Sequence, residues 1–260
     1  MIPPEILELG ALRERDLAAE GLVVAEGRLV VERLLALPGY PLRAIIATRT
    51  TAGALGLAFR GDLPLFEADE AEIAAFAGYP FHRGVIAIAE RPPAVEPALL
   101  LSGLEKGDWP PILVLPETRD PENLGALVRS AAAFGFGAVL LGPGCPDFLS
   151  RRSLRVSMGA ALSMPHARLG SVAEFGIFAS SGYALVAAVV DSGAVDIADW
   201  QAPRPCALAL GDEHAGLGPA WLEASAGKVT IAMAPGPDSL NVGAAGALLM
   251  WKLASARRGR

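Results

Sequence analysis

Five short runs of small and branched apolar residues constrain what this chain can fold into: Ile112–Leu115, Ala138–Leu141, 184–190, 206–210 and 229–233. Each has strand length, and helical patterns over 124–134 and from 242 to about 255 alternate with them. Strands of this composition separated by helices predict a parallel sheet covered on both faces. Ligands of such sheets sit outside the carboxyl ends of the strands, so the loops that follow the runs matter most.

The first part of the chain is a smaller α/β unit. After Gly21-Leu22-Val23-Val24-Ala25-Glu26-Gly27 comes a helical pattern in Leu29, Val30, Arg33, Leu34 and Leu37. A strand signal over 44–47, a helix over Glu70–Ala77 and a strand over 84–89 follow. Prolines and mixed polarity between Arg91 and Pro111 break the pattern. The expected division is therefore a small α/β domain over 1–97, a linker over 98–110 and a sheet domain over 111–260.

Composition excludes several classes. With 52% hydrophobic and 19% charged residues, the 260-residue chain can bury a core. A net charge of -6 excludes a broadly cationic nucleic-acid coat. Apolar stretches such as 183–190 and 242–251 are shorter than the ~18 to 20 residues that cross a bilayer. The start Met1-Ile2-Pro3-Pro4-Glu5 lacks the basic-then-apolar pattern of a secretory signal, which predicts a cytoplasmic protein with no membrane partner. Cys145 and Cys206, far apart, form no C-x-x-C pair and read as buried thiols. His214 stands beside two acids, but His82 and His166 are isolated, so no metal site is expected. Arginine outnumbers lysine 19 to 3, and Arg151, Arg152 and Arg155 make a local cluster suited to an anion.

Three loops follow three strands. The first, Pro116-Glu117-Thr118-Arg119-Asp120-Pro121-Glu122-Asn123-Leu124-Gly125, offers Asn123 as a helix cap, with Arg129 about a turn and a half into the helix. By spacing alone, Arg129 reads as a solvated helix-surface arginine. The second, Gly211-Asp212-Glu213-His214-Ala215-Gly216-Leu217-Gly218, suits a backbone folded tightly around a ligand, or a plain turn. The third runs from Ala234 through Ser239-Leu240-Asn241 into Val242-Gly243-Ala244-Ala245-Gly246, where Ser239 or Asn241 can cap a helix of small residues. A capped core helix would account for that loop alone. It would not account for three such loops on one sheet.

Asn123-x-Gly125-x-x-x-Arg129 with Phe134-Gly135, Gly211-Asp212-Glu213-x-x-Gly216-Leu217, and Ser239-Leu240-Asn241-Val242 resemble, in order, the three signature motifs of the SpoU (TrmH-like) RNA methyltransferases of the SPOUT superfamily. Arg152-Ser153-Leu154-Arg155-Val156-Ser157-Met158-Gly159-Ala160 is similar to the family's segment between the first two motifs. Val24 to Val30 and Phe81 to Ala87 resemble the small substrate-binding domain often fused ahead of the catalytic one.

The resemblance implies an α/β catalytic domain with a C-terminal trefoil knot, S-adenosylmethionine as cofactor, a homodimer, and transfer of methyl to a ribose 2′-hydroxyl of RNA. Ordinary topology rules disfavour a knot, so only the family implies it. It assigns Arg129, Asn123, Glu213, Ser239 and Asn241 to catalysis, and Leu210, Gly211, Gly216, Ile231, Met233 and Leu240 to the cofactor. A guanidinium stays protonated, so Arg129 is expected to bind a phosphate and stabilise developing alkoxide, the proton passing to phosphate, water or Glu213. Arg119, Arg151, Arg152 and Arg155 are expected to form an RNA-binding lip, with ribosomal RNA ahead of transfer RNA as substrate. Base methylation is the neighbouring activity within the superfamily. A noncatalytic RNA-binding or assembly protein retaining the fold is the alternative, and a dehydrogenase lacks its G-x-G-x-x-G.

Overall fold

A computed structural model describes residues 2–57, 64–104, 109–170, 172–213, 215–235 and 239–258. His214, residues 236–238 of the third loop and Arg260 lie outside these. Elements of the first part are α1 (Pro4–Ala11), α2 (Glu14–Ala19), β1 (Leu22–Glu26), α3 (Arg28–Leu35), β2 (Leu42–Ala47), α4 (Arg49–Ala54), β3 (Leu65–Glu67), α5 (Glu70–Ala77) and β4 (Val85–Glu90). The remainder has α6 (Pro97–Ser102), β5 (Ile112–Leu115), α7 (Pro121–Ala133), β6 (Ala138–Leu141), α8 (Arg151–Val156), β7 (His166–Arg168) and α9 (Gly176–Ser180). It closes with β8 (Ala184–Ala188), β9 (Val195–Asp196), β10 (Cys206–Ala209), α10 (Pro219–Ala224), β11 (Gly227–Thr230) and α11 (Val242–Arg258).

In the smaller unit, β1, β4, β2 and β3 form a sheet in that order, antiparallel except for the β2–β3 pair. Alternate residues Val24, Ile46, Ile86 and Ile88 face Leu17, Ile73 and Phe76 in one apolar core. Helix α5 occupies its expected span because both ends are specified. Asp69 accepts from the Glu72 amide at 2.8 Å, Glu72 returns the bond to the Asp69 amide at 2.9 Å, and Gly78 stops the helix at φ +79°.

The larger unit holds a parallel sheet ordered β7-β6-β5-β10-β8-β11-β9. Every residue of β5, β6 and β10 is buried, as continuous apolar runs require. The later strands are not laid down in spatial order: β10 inserts between β5 and β8, and β11 between β8 and β9. The loops after β5, β10 and β11 therefore leave the same edge of the sheet. Three expected strands end early, β8 at Ala188, β10 at Ala209 and β11 at Thr230. Both thiols are buried. Cys145 Sγ lies 2.9 Å from the Leu115 carbonyl, and burial pushes the Cys206 thiol up to about 12. Among the described residues, no helix is long and apolar enough to cross a membrane.

The expected division of the chain needs one correction. Residues Asp147–Ser163 pack with Met1–Pro93, whereas Ala94–Pro146 and Met164–Arg260 form the larger unit. Charge explains the exchange. Arg91 holds Asp147 with two bonds of 2.7 and 2.5 Å. Arg155 Nη1 lies 3.3 Å from Glu26 Oε2, and the Tyr79 hydroxyl donates to the same oxygen at 2.5 Å. Burial and that carboxylate push the Tyr79 hydroxyl up to about 12, so it donates as a neutral phenol. Arg151 Nε stands 3.3 Å from Glu14 and 4.0 Å from Glu26 without hydrogen-bond geometry, so charge more than directed bonding holds it there. Tyr40 donates to the Leu162 carbonyl at 2.8 Å and Arg33 to that of Met158 at 2.7 Å. None of these partners is close in sequence, which is why a boundary drawn from local pattern missed them.

The Glu26 side chain is 1% exposed, so deleting it leaves two arginines short of their counter-charge. Glu26→Ala should lower stability by about 2–3 kcal/mol, toward the low side for a buried pair because both arginines retain some water. Urea unfolding should show a lower midpoint at an unchanged slope.

Candidate active site

Asp120, not Asn123, caps α7: its carboxylate accepts from the Glu122 amide at 2.8 Å, with Pro121 at the first helical position. The expected assignment to Asn123 failed because Pro121 fixes the first helical position and so makes Asp120 the cap. Asn123 consequently lies in the first turn with its amide free for other partners. It donates through Nδ2 to Glu213 Oε1, while its Oδ1 accepts from Asn241 Nδ2 at 3.0 Å. Asn241 Oδ1 in turn accepts from the Gly243 and Ala244 amides at 2.9 and 3.3 Å, capping α11. The orientation of both amides follows from chemistry. A carboxylate oxygen accepts, so Asn123 turns its NH₂ to Glu213 and its carbonyl to Asn241. The series thus runs from the donor-rich start of α11 to a carboxylate.

The second loop closes on itself. The Asp212 amide donates to the Gly216 carbonyl at 3.1 Å and the Gly216 amide to the Asp212 carbonyl at 2.9 Å, while Asp212 Oδ1 accepts from the Ala215 amide. A Cβ on Gly211 would collide with the Gly216 carbonyl and stand 2.5 Å from the Leu217 nitrogen. The small residues of α11 serve close packing on α7. A Cβ on Gly243 would lie 3.5 Å from Ala126, and one on Gly246 would strike Leu127.

The second and third loops, with the end of β8, line a cavity of about 630 Å³. Leu210, Gly211, Gly216, Ile231, Met233 and Leu240 all line it, together with Glu213 and Ser239. Val189, Val190, Asp212 and Val242 line it too, none of them singled out by the sequence reading. The structure brings Asn123, Glu213 and Asn241 into one bonded series. Arg129 is exposed on α7, outside that series and outside the cavity wall, with no ion-pair partner among the described residues.

The expected arginine lip is divided between the two units. Arg119 belongs to the larger one, 3.8 Å from Asp212 and 3.4 Å from Glu117. Arg151 and Arg155 belong to the smaller one, where they neutralise Glu14 and Glu26 and do not stand as open anion contacts. Arg152 is exposed on α8.

The model of the SpoU rRNA Methylase family matches residues 110–251. The chain belongs to the SpoU family. A Mycobacterium bovis protein named as an uncharacterized tRNA/rRNA methyltransferase is 37% identical over 246 residues, covering 92% of this chain and 83% of its own. The 23S rRNA (guanosine-2′-O-)-methyltransferase RlmB of Acinetobacter baylyi is 29% identical, covering 70% and 75%. An S-adenosylmethionine-bound rRNA methyltransferase from Sinorhizobium meliloti, 24% identical, shares the fold at a TM-score of 0.82 over 98% of this chain and 95% of that one.

For this SpoU-family chain, Gly211→Ala should force the second loop off its turn. Overpacking of this kind costs about 1–3 kcal/mol. Calorimetric titration with S-adenosylmethionine should show affinity reduced at least about tenfold, given how steeply function falls with small displacements.

Proposed function

We propose that this protein methylates a ribose 2′-hydroxyl of RNA, ribosomal RNA first, using S-adenosylmethionine. The observation that carries the reading is a cavity lined by the second and third loops and the end of β8, with the first loop's helix joined to its wall through the Glu213–Asn123–Asn241 series. The A. baylyi relative supports the ribose and the ribosomal substrate, and the family supports methyl transfer. The knotted C-terminus that the family implies agrees with β10 and β11 inserting between earlier strands.

The residues present fit the cofactor. A cavity of this size takes a ligand of that class, and Leu210, Ile231, Met233 and Leu240 give it apolar walls. Gly211 and Gly216 bring bare backbone to it, which suits recognition by main-chain groups. When bound, the sulfonium supplies the methyl group and gives up its positive charge, a change that apolar walls favour. Asn123 holds Glu213 in one orientation at the wall. A guanidinium is a donor and not a base, so the part of Arg129 is to hold a phosphate and to stabilise negative charge on the reacting oxygen. The proton leaves to phosphate, water or Glu213.

Arg129→Ala should reduce methyl transfer to RNA about 10²- to 10³-fold with cofactor affinity little changed. Arg129→Lys should remain impaired, because a point charge lacks the planar fork. Tritium transfer from labelled cofactor measures both, and undiminished turnover in the alanine variant would remove Arg129 from the chemistry. Mapping 2′-O-methyl marks in total RNA from a deletion strain against its parent tests the substrate, which we place in the cytoplasm. Cofactor binding without any transfer would leave the noncatalytic alternative standing.

The same reading includes a homodimer. Ala244, Leu248 and Trp251 recur at helical spacing on α11 and are exposed, Leu248 to 46% and Trp251 to 56%. An apolar stripe like this on a soluble protein suits a second copy of the chain. Trp251→Glu should halve the sedimentation mass while leaving the circular dichroism of the chain intact.

A further inference from the structure

Strand β11 stops at Thr230 although Ile231, Ala232 and Met233 continue the apolar run that predicted a longer strand. The cause lies 36 residues upstream. Strand β9 pairs Val195 with Val229 and Asp196 with Thr230, and the Ile197 amide still donates to the Thr230 carbonyl at 2.8 Å. Beyond that point a side chain replaces the ladder. Asp196 Oδ2 accepts from the Ala232 amide at 2.8 Å, while its Oδ1 accepts from the Ala198 amide at 2.8 Å. A single carboxylate thereby ties the 196–198 turn to the 231–233 loop. Lys252 of α11 donates to the Ala198 carbonyl at 2.8 Å, anchoring the turn from the opposite side.

Ala232 sits between Ile231 and Met233, and both of those line the cavity. Fixing the Ala232 amide fixes the backbone that carries the two wall residues. We infer that Asp196 is a positioning residue of the methyl-donor cavity, holding its Ile231–Met233 wall through a strap anchored on α11 by Lys252. This rests on the cavity taking S-adenosylmethionine. Asp196 touches neither cofactor nor RNA in this scheme, and it falls outside all three signature motifs. Hydrogen bonds to a charged acceptor are stronger than neutral ones, so losing both should be felt in the wall they hold.

The test is calorimetry with S-adenosylmethionine and S-adenosylhomocysteine on wild type, Asp196→Ala, Asp196→Asn and Glu174→Ala, with Ala232 amide exchange followed by NMR. Asp196→Ala should bind about tenfold more weakly, raise KM for the cofactor with kcat little changed, and lose exchange protection at Ala232. Asp196→Asn keeps one acceptor oxygen and should fall between. Glu174 accepts from the Gly170 amide at 3.1 Å and neither residue lines the cavity, so Glu174→Ala should bind like wild type. Wild-type affinity together with a protected Ala232 amide in Asp196→Ala would overturn the assignment. Should that variant fail to fold, Asp196→Asn decides it, and wild-type affinity there overturns it equally. A wild-type protein that binds neither probe would refute the proposed function. The exchange readout would still judge the Asp196 strap, because it needs no ligand.

Discussion

Parallel strands put all their carboxyl ends on one edge, and the order in which this sheet is filled decides which loops become neighbours there. Had β10 and β11 simply been added outward, the loops after β5, β10 and β11 would stand several strand spacings apart. Insertion of β10 beside β5, with β11 one strand beyond β8, draws them together. Everything at the centre follows from that juxtaposition. Asn123 comes from the first loop's helix, Glu213 from the second loop and Asn241 from the third, and Asn123 bonds to both of the others. The close approach of α11 to α7 through Gly243 and Gly246 is a condition of the same contact.

Much of this was legible in the residues. Continuous apolar runs such as Ile112–Leu115 and Ala138–Leu141 became buried central strands because little besides a doubly covered sheet absorbs them. All six residues assigned to the cofactor by resemblance line one cavity. What local pattern did not reveal depends on partners far along the chain. The end of β11 is set by Asp196, and the cap of α7 by a proline that made the nearer aspartate the better choice. Arg151 and Arg155 looked like an anion site because their counter-charges, Glu14 and Glu26, lie more than a hundred residues away.

Arginine serves mainly as a tether here. Arg91 grips a carboxylate bidentately, Arg33 reaches a backbone carbonyl, and Arg168 gathers the carbonyls of Gly142, Cys145 and Pro146 within 3.1 Å. The planar fork that suits phosphate suits these acceptors equally well. Arginine enrichment in this chain is therefore weak guidance to nucleic-acid contact, and position must decide. Arg129 differs from these tethering arginines in having neither a side-chain hydrogen bond nor an ion pair among the described residues.

The smaller unit is completed by Asp147–Ser163, which are translated long after Pro93. When β5 and β6 have been made, every strand of the β1 to β4 sheet has been synthesised, but Glu26 and Glu14 still have no arginine from α8 to face. That unit must wait in an unfinished form until Ser163 leaves the exit tunnel. The N-terminal unit, first to be started, thus closes only after β5 and β6 of the larger unit have been made, so the two units are interleaved in synthesis.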